Sequence, residues 1–449
     1  MTIGVLCAVR GTQEPSIVAA LDARTSALRV VRRCADLTEL LAAAAAGLGR
    51  VVVLSADLPD LDREALSRLR AAGAAVLAIV DARSDWQAER MEALGAASVV
   101  PDDRSAEEIA DVVEDLARGV AAGQPIAATV SGRPSQLGPS QTGPSQTGPS
   151  QQREGGPPER GRLVAVWGPT GAPGRSTLAL NLAAELAALG RRVLLVDADT
   201  YGSSLSIALG LLDESAGIAS VARLAGSGTL APELVLRQAA QLAAGFHLLT
   251  GLNRAERWPE LAPSALDLVW DAARAVVDWV VVDCGFCLEQ EAGADYPGLA
   301  ARRNASTVGV LRAAEVVVAV GSADPVGVAR LVRALADLSD RELVRAGAQQ
   351  VVVVNRVRES AVGARANDAV REALSRFAGI DMPVLVPDDR IACDGALLAG
   401  QTLREHAPGS PARRAIAALA EQLALAALEP GARVDRAARR RRAHLLARR

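Results

Sequence analysis

Lysine is missing from the 449-residue chain, so all 49 basic side chains are arginines, and chemistry that needs a lysine ammonium is excluded. Aromatic residues are scarce at 2%, although half the residues are apolar. The Ala, Leu, Val and Arg bias reads as GC-rich coding rather than a functional signal. The five cysteines are odd in number, and their positions (7, 34, 284, 287 and 393) show no disulfide framework, which points to a reducing compartment. No uncharged apolar run reaches about 18 residues, so no membrane-spanning helix is expected. The N-terminal MTIGVLCAVRG has no basic start leading into a long apolar run, and it reads as a first strand rather than a signal peptide. The expected location is cytoplasmic, with a peripheral position at the inner face of the plasma membrane left open. The length suits two or three domains with ample buried cores. It rules out a small disulfide-stapled fold and a chain disordered throughout.

The net charge of −3 is unevenly placed. Residues 433–449 carry eight arginines and one acid, which leaves −10 on the other 432 residues. An acidic body with a basic tail suggests contact with an anionic surface, either membrane lipid or DNA. A solvated helical end is the plain alternative.

Composition also marks the boundaries. Residues 134–151 read PSQLGPSQTGPSQTGPSQ, a stretch with nothing to bury, so 121–160 is expected to be a disordered linker. Before it, over 1–120, five short apolar runs (3–9, 28–31, 51–55, 74–80 and 97–100) alternate with helical patterns, which implies a parallel sheet with helices on both faces. The order of elements resembles a response-regulator receiver domain. Its chemical signature is missing, however: Val9-Arg10-Gly11 stands where an acidic pair follows the first strand, Ser55 where an Asp ends the third (Asp57 is two residues on), and Val100-Pro101 where Lys-Pro follows the fifth. The expectation is a degenerate receiver that docks a protein partner, with phosphorylation at Asp57 as the lesser alternative. After the linker, 161–428 repeats the alternation with seven apolar strands, at 163–168, 192–199, 246–251, 279–285, 315–322, 350–356 and 382–387, and a closing amphipathic helix at 411–428. The fold class expected is therefore α/β, with two doubly wound, mostly parallel sheets, followed by an arginine-rich tail at 429–449.

The chemistry concentrates in the second half. Strand LVAVWG runs into PTGAPGRSTLALNLAAEL, a loop containing Gly171 and Gly174 that opens into a helix at Arg175-Ser176-Thr177. Consecutive backbone N–H groups there can wrap phosphate oxygens, aided by the positive end of the helix. Ser176 would place its hydroxyl on Mg²⁺, and Thr177 would face a phosphate oxygen. The loop departs from the usual pattern: Pro169 stands where the first glycine belongs, Pro173 removes an N–H, and Arg175 replaces lysine. Two strands end in acids at the edge where a doubly wound sheet binds nucleotides: Asp197 and Asp199 on one, Asp283 on the other. One carboxylate is needed to hold Mg²⁺, and another to orient an attacking water.

The runs GRSTLALNLA, RRVLLVDADTYG, VVVDCG, VVVVNRVR and VPDDRIACDGALLAGQTLREHAPGSPARRAIAALA together resemble the MinD/ParA family of P-loop ATPases, in order, over nearly all of 161–425. The resemblance implies a mostly parallel sheet, ATP and Mg²⁺ as ligands, and an ATP-dependent homodimer. It implies phosphate contacts from Gly171, Gly174, Arg175, Ser176 and Thr177, and catalytic roles for Arg175, Asp197 and Asp199. It further implies Mg²⁺ at Ser176 and Asp283, adenine bonded by Asn355, and Pro387 beside the base. The family's signature loop lysine is Thr170 here, and Arg175 is a wider, planar substitute for the second lysine, so slow hydrolysis is expected. A degenerate receiver before such an ATPase resembles the TadZ/CpaE pilus-assembly and septum-site-determining proteins. Septum-site selection, chromosome partition and a non-hydrolysing pilus scaffold all stay open. So does a metal-cluster carrier using the pair Cys284-Gly-Phe-Cys287, whose alternative is two buried thiols. Arg302-Arg303-Asn304 reads as helix surface.

Overall fold

The computed structural model describes residues 2–122, 160–171, 174–211, 215–289 and 303–428. The Pro/Ser/Gln/Gly repeat, Pro173, Arg302 and the arginine-rich tail lie outside the described residues. Two compact units emerge, the second beginning at Gly161.

The first unit is a five-stranded parallel sheet. Its strands are β1 (Ile3–Ala8), β2 (Leu28–Arg33), β3 (Val51–Ser55), β4 (Ala75–Val80) and β5 (Ser98–Pro101), in the order β2-β1-β3-β4-β5. β3 and β4 are buried along their whole length, as uninterrupted Val/Leu/Ile/Ala runs require when helices cover both faces. Asp36, Asp62, Ser84 and Ser105 each start a helix by accepting a backbone N–H three residues on, which satisfies one orphan donor of the first turn. At the carboxyl ends of the strands, the Ser55 hydroxyl accepts the Arg10 backbone N–H at 2.8 Å. The Arg10 guanidinium donates to the Asp57 carbonyl at 3.0 Å and meets its carboxylate at 3.4 Å. The candidate phospho-acceptor is thus engaged by an arginine.

The second unit holds an eight-stranded sheet: β6 (Arg162–Trp167), β7 (Val193–Ala198), β8 (Ala240–Ala243), β9 (Phe246–Leu249), β10 (Trp279–Cys284), β11 (Val316–Ser322), β12 (Gln349–Val357) and β13 (Val384–Pro387). The order is β13-β12-β11-β6-β10-β7-β9-β8, parallel except for the β8–β9 hairpin. Seven of these strands match apolar runs in the sequence. The eighth, β8, does not, because Ala-Gln-Leu-Ala is short and lacks β-branched residues; it is an edge strand defined by pairing back onto β9 around Gly245. Two large apolar cores lie in this unit, one built around Trp167, Trp270 and Val282, the other around Leu182, Leu195 and Ile416. The chain leaves β6 for opposite sides of the sheet, toward β7 and later β11. That reversal opens a crevice beyond the carboxyl ends of the central strands, where the phosphate-loop-like turn lies.

Candidate functional site

The turn after β6 passes through Gly171 at φ 68° and Gly174 at φ 98°, a left-handed region that favours glycine. Gly174 caps the helix Arg175–Ala188. A Cβ at Gly174 would collide with the Asn355 amide, so here the glycine is also required for close approach. Asn355 is brought there by a register shift between Val354 and Val357 in the β12–β13 pairing, with Arg356 at φ 58°. Such a bulge re-aims a side chain at the end of a strand. A cleft of about 300 Å³ follows, lined by Gly174, Thr177, Asn355, Pro387, Leu403 and Ile416. Two residues matched to the base by resemblance alone, Asn355 and Pro387, therefore share one cleft with the helix N-terminus. Arg358, Asp388 and Asp389 line it too, and sequence reasoning had not singled them out.

The acids lie on the other side of the turn. Parallel pairing sets Asp283 of β10 directly beside Asp197 of β7, with both about 1% exposed. Asp197 accepts backbone N–H groups from Ser204 at 2.9 Å and Leu205 at 3.0 Å. Burial nevertheless pushes its carboxyl up to about 6, and the nearby Asp199 charge adds to the rise. Neither carboxylate oxygen of Asp283 has a hydrogen-bond partner. Burial, and then the charge of Asp197, hold Asp283 well above the usual carboxylate range; Ser176 approaches and offsets this only in part, short of hydrogen-bonding geometry. A buried, unpartnered carboxylate beside a second acid and a hydroxyl is a site in deficit of positive charge. Mg²⁺ fits that deficit. It binds through one or two carboxylates together with phosphate oxygens and water, so it needs no large acid cluster. Among the described residues, no group of three or more His, Cys, Asp or Glu side chains is placed to hold a metal ion without such help.

Arg175 is turned inward. Its guanidinium donates to the carbonyls of Gly168 at 3.1 Å and Pro169 at 3.4 Å, and meets Asp199 at 3.4 Å with little exposure. Asp199 in turn accepts the Tyr201 N–H at 2.9 Å. Arg303 and Asn304 are not a surface patch. Arg303 stacks 3.9 Å above the Tyr201 ring and donates to the Thr200 carbonyl at 3.0 Å, while Asn304 accepts from the Tyr201 hydroxyl at 2.8 Å. Tyr201 also packs against Phe286 at 4.9 Å, so the loops after β7 and β10 are tied together. Cys284 is fully buried, and its thiol is pushed well above its usual range by burial. Cys287 accepts the Asn304 amide at 3.3 Å. The pair therefore presents no accessible thiolate couple.

Fold and site together define a P-loop-type nucleotide-binding α/β protein. The CobQ/CobB/MinD/ParA nucleotide binding domain profile matches residues 164–393, half of the sequence, and the chain belongs to that family. Its fold is similar to those of several solved structures. The septum site-determining protein MinD from Pyrococcus horikoshii OT3, complexed with Mg-ADP, is 19% identical over 58% of this chain and 95% of that one, with a TM-score of 0.45. A ParA family ATPase from Chlorobium tepidum TLS is 19% identical over 59% of this chain and 99% of that one, with a TM-score of 0.47. A Cyanothece McdA variant in complex with ATP is 16% identical over 59% of this chain and 97% of that one, with a TM-score of 0.43. No curated protein matches the sequence. Among the described residues, no helix is long and apolar enough to cross a membrane.

Proposed function

We propose that this protein binds Mg·ATP in the crevice beyond the carboxyl ends of the central strands, hydrolyses it slowly, and uses nucleotide-dependent homodimerisation to position a cellular machine in septum-site selection or chromosome partition. The observation that carries the reading is the orphaned carboxylate of Asp283, buried beside Asp197 and facing Ser176. In this reading Ser176 and Asp283 hold Mg²⁺, whose chemistry is to neutralise phosphate oxygens. Gly171, Gly174 and Thr177 receive the phosphates, Asn355 and Pro387 receive the base, and Asp197 or Asp199 orients water. The inward pose of Arg175 favours slow turnover, because its guanidinium must leave Asp199 and two carbonyls before it can meet a phosphate. The same pose favours, as a second reading, a non-hydrolysing nucleotide-binding scaffold; a role in pilus assembly rests on the receiver-like unit that precedes it. In both readings the first unit docks a protein partner. An apolar face beside the cleft supports association: Ile391 and Leu398, seven residues apart on the helix Arg390–Ala399, are each 89% exposed.

Calorimetry of the full chain should show Mg·ATP binding that Ser176→Ala weakens and that loses its Mg²⁺ dependence in Asp283→Ala. Sedimentation of the same samples should show a monomer becoming a dimer with ATP. Equal affinity in all three proteins would sink the site assignment. Residues 433–449 we assign to an anionic surface. Binding to anionic vesicles or to duplex DNA should fall steeply with salt and vanish on truncation after Pro430. A truncated chain that binds equally well would make the tail a solvated end.

A further inference from the structure

The helix Pro325–Asp340 starts at the carboxyl end of β11, the strand next to β6, and is capped by the Asp324 carboxylate, which accepts the Gly327 N–H at 2.9 Å. On its second turn stands Arg330, exposed, with Nη1 at 3.5 Å from the Thr170 carbonyl. A Cβ at Gly171 would overlap that guanidinium, so the arginine lies directly over the phosphate loop. We infer that Arg330 contacts the terminal phosphate of the bound nucleotide and selects triphosphate over diphosphate. The inference rests on the nucleotide-site reading above.

Three observations lead to it. The site already holds Asp197, Asp199 and Asp283, so a triphosphate entering it needs more positive charge than one divalent ion brings. Position 170 offers none, and the guanidinium of Arg175 is engaged by Asp199 and two carbonyls. Arg330 is held loosely by comparison. Its contact is one long hydrogen bond to a neutral carbonyl, and no carboxylate pairs with it among the described residues. Its long side chain can leave that carbonyl at small cost for a phosphate, where a planar fork makes two charge-assisted bonds. Sequence offered no hint of this, since Arg330 and Thr170 are 160 residues apart.

The test is calorimetry of the full-length protein, with Arg330→Ala and Arg330→Lys beside the wild type, titrated with ATP and ADP in the presence of Mg²⁺. Arg330→Ala should weaken ATP by about 30-fold and ADP by less than about 3-fold, and Arg330→Lys should recover part of the loss. An equal loss for both nucleotides would make Arg330 a brace of the loop and overturn the inference, as would no loss. Those outcomes leave the nucleotide site standing. Wild-type protein that binds neither nucleotide overturns the site reading, and this inference with it.

Discussion

Replacing Glu185 with alanine should lower the melting temperature of the second unit by about 6–12 °C, the largest stability effect we expect from a single side chain. Glu185 lies on the phosphate-loop helix with its carboxylate only 5% exposed. It accepts two bonds from Arg413, at 2.6 and 2.7 Å, and one from Arg404 at 3.0 Å. Hydrogen bonding to Glu185, and then its charge, raise the Arg413 guanidinium above its ordinary range. Removing the buried carboxylate deletes three charge-assisted hydrogen bonds, together about 3 kcal/mol, and each kcal/mol is worth about 2–4 °C in a domain of this size. Glu185→Gln keeps the shape and some hydrogen bonds, so its loss should be about half as large. Asn181, one turn earlier on the same helix, accepts the Leu403 N–H at 2.7 Å, which fastens the wall of the cleft to that helix. ATP affinity should therefore fall together with stability. Thermal melts of both variants check the first part and calorimetry the second. A melting temperature unchanged in Glu185→Ala would show that the two arginines find other acceptors.

Asp283→Asn should do the opposite, stabilising the metal-free protein while removing its response to Mg²⁺. The sign follows from the raised carboxyl. Below the ordinary carboxylate range of about 4 the folded and unfolded chains are both protonated, and burial carries no charge penalty. As pH rises, the unfolded chain ionises first, so folding loses stability until the buried group also ionises, and the loss persists above that point. Asparagine does not ionise, so it carries no such penalty. In chelator the variant should melt about 3 °C or more above wild type at pH 8, with the gap closing toward pH 4. Added Mg·ATP should raise the melting temperature of wild type strongly and that of the variant little. A gap that stays constant with pH would mean that Asp283 is not the charged, unpartnered group described here.

Periodicity along the chain determined the α/β class. Runs such as VVVL at 51–54 and VVVV at 351–354 have no polar residue to face water, and they alternate with patterns of helical period, which leaves parallel sheets covered on both faces. The loop chemistry was local as well: Gly174, Ser176 and Thr177 follow a strand within a few residues, and short-range geometry makes that turn. Other features depended on which strands and helices became neighbours. The juxtaposition of Asp283 and Asp197 required β10 to insert between β6 and β7, which no local pattern specifies. The edge strand β8 exists only because β9 offers it partners. Arg175 carries the same charge at the same position whether it faces a phosphate or Asp199, so only packing decided its inward pose. Arg303 and Asn304 read as surface because their polarity is local, whereas Tyr201, which engages both, is over a hundred residues away. Glu185, Arg404 and Arg413 are spread over more than two hundred residues and look like ordinary surface charges on amphipathic helices. Sequence determined what could be done by neighbours in the chain; the tertiary structure decided every contact whose partners are distant in it, because burial and pairing of charge are properties of the packed surroundings.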